Sequence, residues 1–121
     1  MSDYNMVKKE VNGVEYIFYN SYVKTKNGFA HVSELWIDGE KTAIERIGYL
    51  NRTWEKYNYQ SVMQKCCREL LHSMYLDWKA NWKKQNGIKR MTKEKACIMR
   101  KEFELHKPKS FVNLEGVLNT L

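Results

Sequence analysis

Eleven lysines and arginines lie between Leu76 and Lys109, against four acids, Asp77, Glu94, Glu102 and Glu104. Residues 1–75 hold ten bases and nine acids, so this one stretch carries the positive excess of a chain whose formal net charge is +7. An excess confined in this way points to an anionic partner. The chemistry it offers is phosphate neutralisation. Lys79, Lys83, Lys84, Lys89, Arg90, Lys93, Arg100 and Lys101 supply cations, and Trp82, with Trp78 one turn before it, supplies planar rings on which bases stack. Lysine far outnumbers arginine here, which favours unspecific phosphate contact over bidentate reading of base edges. The competing reading is a solvated helical hairpin, whose lysine stems cover apolar surface and whose charges complement a helix C-terminus.

A second constellation lies between Tyr49 and Tyr59, where four aromatics, an arginine and several amides fall within eleven residues. Arg52, Trp54 and Tyr57 form a candidate secondary binding loop, since loops held by rigid elements often carry sites. The alternative is structural: Trp54 and Tyr57 plug the end of a sheet while Arg52 pairs with Glu55. Cys66, Cys67 and His72 invite a metal reading, but adjacent residues on a helix point about 100° apart. The two thiols read better as small buried hydrophobes. Three cysteines, two of them adjacent, make a poor disulfide framework and suit a reducing compartment. No local signature of a nucleophilic triad, no glycine-rich phosphate loop and no His/Glu metal spacing is present. His106 sits at a helix end, where a protonated imidazole complements the dipole. The expectation is a binding protein rather than an enzyme, with no cofactor and no metal.

These residues must be positioned by a single domain, because 121 residues do not divide into two stable cores. Residues 1–50 read as a β-meander and residues 59–121 as a helical part. Apolar residues make up 43% of the chain, enough to fill a core. No apolar run reaches the roughly 18–20 residues of a membrane span, and the first residues lack the pattern of a signal peptide. Three dipeptides, Asn12-Gly13, Asn27-Gly28 and Asp38-Gly39, carry the turn chemistry of two-residue hairpins, which need positive φ. Between them lie alternating runs, Val14 to Val23, Phe29 to Ile37 and Thr42 to Leu50, with a short leading strand at Tyr4 to Lys9. Consecutive short turns dictate antiparallel order. The second and third runs are apolar on both faces. Either helices cover one face while Tyr16, Tyr22 and Trp36 decorate the other, or a second copy does.

After Leu50 the period changes. Asn58 offers an N-cap, and a long helix runs from about Tyr59 to Gln85, stopped by Asn86-Gly87. Its apolar residues recur every four positions from Val62 to Trp82. Each step of four drifts about 40° on a 3.6-residue helix, so Trp82 lies nearly opposite Val62 and the two halves need different partners. Thr92 caps a second helix that Pro108 ends near His106. Asn113 is expected to cap a short third helix, with Val112 and Val117 as its hydrophobic staple. The fold class is α+β: a three- to four-stranded antiparallel meander, a long helix, then two shorter helices. The wandering stripe and the docking tail suggest a homodimer.

The segment from Asn27 to Leu70 includes Ser33-Glu34-Leu35-Trp36 and Tyr49-Leu50-Asn51-Arg52-Thr53-Trp54-Glu55. It resembles small hypothetical proteins of phages and mobile elements of Gram-positive bacteria, over about a third of the chain. What that resemblance implies is context. Proteins of this kind often bind nucleic acid or a host nucleoprotein in the bacterial cytoplasm, and many antagonise host defence, as anti-CRISPR inhibitors do. Two other classes stay open: a sequestering protein that captures a small anionic nucleotide signal at the aromatic junction or a dimer seam, and a structural or assembly protein.

Overall fold

A computed structural model describes residues 4–26, 28–50 and 59–121. Four strands, β1 (Tyr4–Val11), β2 (Val14–Thr25), β3 (Gly28–Ile37) and β4 (Glu40–Leu50), form one antiparallel sheet in the order β1-β2-β3-β4. Three helices follow: α1 (Tyr59–Gln85), α2 (Lys93–Leu105) and α3 (Lys109–Asn119). This is the α+β meander that the turns predict, in its four-stranded form.

Two of the turns match their chemistry. Asn12 and Gly13 take φ of 52° and 81°, and Asp38 and Gly39 take 48° and 84°, positive at both central positions as a two-residue hairpin demands. Asp38 also ties its turn to β2: its amide donates to the Glu15 carbonyl at 2.9 Å, and its carboxylate accepts from the Glu15 amide at 3.0 Å. The middle turn falls one residue earlier than Asn27-Gly28 suggests. Thr25 pairs with Gly28, so Gly28 is already the first residue of β3, at φ 150°. The same register sets Phe18 opposite Leu35, both fully buried.

Alternation sorts the sheet into two faces. Tyr16, Phe18 and Asn20 of β2 and His31, Ser33 and Leu35 of β3 are buried on the inner face. Tyr16 is therefore core and not surface decoration, and Tyr22 shares its face by alternation. Ile17, Tyr19, Val32, Trp36 and Ile44 lie on the outer face, where Tyr19 and Trp36 meet edge to face at 5.7 Å and Ile44 is 55% exposed.

Helix α1 divides as its drifting stripe requires. Val62, Met63, Cys66, Cys67 and Leu71 are buried in its first half, the last four of them in one cluster with Phe18 and Leu35 of the sheet. In the second half Trp82 turns to α2. Phe103 of α2 is the junction: its ring meets Tyr75, Trp78 and Phe111 edge to face, each at 5.0 Å. Such pairs add about 0.5–1.5 kcal/mol each beyond area burial. Both halves of α1 are thus covered within one chain. So is the tail, because Leu114 and Val117 of α3 belong to the same core.

Thr92 caps α2 as expected, its hydroxyl accepting from the Lys95 amide at 3.2 Å. The expected cap of α3 is corrected. The helix starts at Lys109, with Pro108 at the N-cap, and Asn113 sits one turn inside it. Proline brings extended backbone to that position (φ −57°, ψ 145°) and cannot continue α2, so the new helix begins directly after it. Asn113 then faces the sheet, 7% exposed, and its carbonyl oxygen accepts from the Asn12 side-chain amide at 2.7 Å. Val112, placed in a staple by the sequence pattern, is 46% exposed. Asn58, the expected cap of α1, lies outside the described residues. No helix of the described residues is long and apolar enough to cross a membrane.

Candidate anion-binding surface

The last turn of α1 presents Lys79, Lys83 and Lys84, and it is closed by a backbone motif. Gly87 takes φ 63°, Ile88 donates its amide to the Lys83 carbonyl at 2.9 Å, and Gly87 donates to the Lys84 carbonyl at 3.4 Å. This is a Schellman end, which needs a left-handed residue and therefore favours glycine. The Asn86 side chain adds a bond to the Trp82 carbonyl at 2.9 Å. With those carbonyls satisfied by backbone and amide donors, the lysine side chains are not required to cap the helix.

Lys89 and Arg90 are exposed in the connector, held between that end and the Thr92 cap. On α2, Lys93 and Arg100 are seven residues apart and share one flank, and Lys101 stands a further 100° round, opposite the buried Met99. On α1, Lys79 and Lys83 share a flank while Lys84 points away from the buried Trp82. The bases form a cap of charge around the end of the helical pair rather than one stripe.

Two of the four acids of the same region are engaged. Glu102 accepts from the Trp82 indole N–H. Glu104 pairs with Lys107 at 3.2 Å, and Glu115 approaches the same ammonium at 3.3 Å. These two carboxylates hold Lys107 above the ordinary lysine range, against the burial that lowers it. By contrast, Lys79, Lys83, Lys84, Lys89, Arg90, Lys93, Arg100 and Lys101 make no ion pair among the described residues.

Trp82 does not fit the role that its neighbours suggest. It is 8% exposed, sealed by α2, and its indole N–H is bonded. Its ring is core, so it offers no stacking platform. Trp78 is half-buried against Phe103. An aromatic flanked by lysines can face inward when a second helix closes over it, and the drift of the apolar stripe along α1, which asks for a second partner at Trp82, is the signal of that closure. The surface is therefore cationic without a free indole at its centre.

The secondary loop, Arg52, Trp54 and Tyr57, lies outside the described residues. Cys66 and Cys67 are buried, and burial pushes both thiols up to about 12, which leaves them neutral and inert. His72 and Cys97 are exposed. No group of three or more metal-ligating side chains occurs among the described residues.

One site is invisible in the sequence. A cavity of about 570 Å³ opens between the β1–β2 turn, Met74 of α1 and the first turn of α3. Its walls come from positions as distant as Asn12 and Asn113, and no local motif links them. Comparisons of this chain with protein-family models, with curated proteins and with solved structures found no match.

Proposed function

We propose that the chain is a nucleic-acid-binding protein whose contact surface is the end of α1, the connector and the outward side of α2. The observation that supports this reading is the asymmetry of pairing: two of the four acids in the basic stretch are bonded internally, while eight of its bases, Lys79, Lys83, Lys84, Lys89, Arg90, Lys93, Arg100 and Lys101, make no ion pair among the described residues. Charge left unneutralised in this way attracts a polyanion and releases its counterions. Buried Trp82 and lysine-dominated chemistry narrow the mode. With Trp82 closed off and few guanidinium forks, the partner is double-stranded or structured nucleic acid held by its phosphates without regard to sequence. In the phage setting that the sequence resemblance implies, that polyanion is exposed in a host nucleoprotein such as a CRISPR effector, and the chain inhibits by occupying it.

The experiment is a salt titration of binding to labelled duplex DNA, structured RNA and single-stranded DNA. Duplex or structured RNA should bind best, with affinity falling steeply as salt rises. Replacing Lys83, Lys84, Lys89 and Arg90 with glutamine should flatten the log–log slope by about 3–4, at roughly 0.9 for each phosphate no longer neutralised. No binding at low salt would overturn the proposal and make the lysines a solubility face.

A further inference from the structure

The cavity beside α3 is independent of the basic surface. Its walls are mostly apolar: Val14, Ile37, Met74, Val112 and Leu114. Polar groups occur at two places. At the floor, Tyr16, Asn12 and Asn113 bond among themselves: Asn12 donates to Asn113 at 2.7 Å, and Asn113 shares a hydrogen bond with the Tyr16 hydroxyl. At the rim stand Lys107, Lys109 and Ser110. Among the described residues, no acid lines the cavity. Lys107 is already held by Glu104 and Glu115, while Lys109 makes no ion pair among the described residues. An apolar chamber with one uncommitted cation at its mouth has a definite complement.

We infer that this cavity is a binding site for a small amphipathic monocarboxylate, whose apolar body fills the space between β2, α1 and α3 and whose head meets Lys109 at the rim. The volume of about 570 Å³ lies in the range of small-molecule pockets, which are mostly apolar with a few placed polar groups. A nucleotide fits it badly, since its several charges and polar sugar would face apolar walls with a single free ammonium to answer them. A simple fatty acid meets both demands: its chain removes apolar surface from water, and its carboxylate needs only one cation.

The test uses the full chain and three ten-carbon probes: decanoate, decanol and decyltrimethylammonium, each titrated below its micelle concentration and followed by calorimetry and methyl NMR shifts. Decanoate should saturate one site, shifting Met74, Leu114 and Val14 and leaving Ile44 of the outer sheet face unmoved. Decanol should bind at least tenfold more weakly, and the ammonium probe should not bind there. Lys109→Glu should weaken decanoate at least tenfold while leaving decanol unchanged. Val112→Trp places an indole at a lining position that is half exposed, and should weaken both decanoate and decanol. Equal affinity for decanoate and decanol, an unchanged decanoate affinity in Lys109→Glu, or shifts confined to the outer sheet face would each overturn the inference.

Discussion

The two halves of α1 are one continuous helix under two regimes. From Val62 to Leu71 it lies on the sheet, and five of its residues are buried in the core. From Leu76 onward only Trp82 is buried, and the surface around it is lysine. The first half is stabilised by area: burying each medium-sized apolar side chain contributes about 1.5–3 kcal/mol. The second half is held by one aromatic corner, where Trp82 and Trp78 reach across to Glu102 and Phe103. A helix can thus lend its rigidity to a surface that contributes little to stability, provided its other half is well anchored. Binding groups and packing groups are segregated along the axis instead of around it.

Four experiments break or sharpen that contrast. The largest effect should come from Val62→Asp, which places a charge at a fully buried position. A loss of about 4 kcal/mol or more is expected, seen as a collapse of the urea midpoint. Trp82→Ala should cost about 3 kcal/mol, because it empties the corner and strips Glu102 of its donor. Trp82→Phe should recover most of that loss, since it keeps ring area and gives up one hydrogen bond of about 1 kcal/mol. If the second half is anchored elsewhere, Trp82→Ala will be nearly silent in denaturant titration.

The next effect is one of pH. Burial raises the Cys66 and Cys67 thiols from 9.0 in the free side chain to about 12. The unfolded chain therefore ionises first, and stability that is intact below pH 9 drains as the pH climbs toward 12. Between pH 9 and 10 the two thiols together should remove about 2 kcal/mol. Cys66→Ala with Cys67→Ala should flatten this part of the profile relative to its own neutral-pH value. The smallest effect should come from Lys83→Gln with Lys84→Gln, which should shift stability by less than about 0.5 kcal/mol while weakening duplex binding several-fold. Equal losses of stability and binding would show that the lysines belong to the fold.

The sheet and α1 were legible because their signals are local. Asn12-Gly13 and Asp38-Gly39 specify their hairpins without help from the rest of the chain, and Asn86-Gly87 ends α1 through backbone bonds to Lys83 and Lys84. The fourfold recurrence in α1 even showed that two partners were needed. Long-range features were harder to read. Asn113 resembles a helix cap in sequence, and only its closeness to Asn12 in the folded chain reveals a buried side-chain bond. Trp82 among lysines has the composition of a nucleic-acid surface, and its burial depends on how α2 closes over it. The cavity is built from turn, strand and two helices, so no window of sequence contains it. Of the candidate anion-binding residues, the cations of α1 and α2 stand where helix periodicity places them, and Trp82 takes the second partner that its stripe requires in place of a role in stacking.

The bond from Asn12 to Asn113 spans 101 residues, and Lys9 likewise reaches the Thr120 carbonyl at 3.5 Å. On the ribosome the hairpins can pair as soon as they emerge, because each closes a short loop. The edge strand β1 must then wait for α3 to be made before its inner face is sealed. During that interval Val11 lacks the helix against which it packs, whose Gly116 it approaches. Cotranslational folding of this protein is therefore completed late, and a nascent chain stalled before Lys109 would expose the apolar inner face on which aggregation begins.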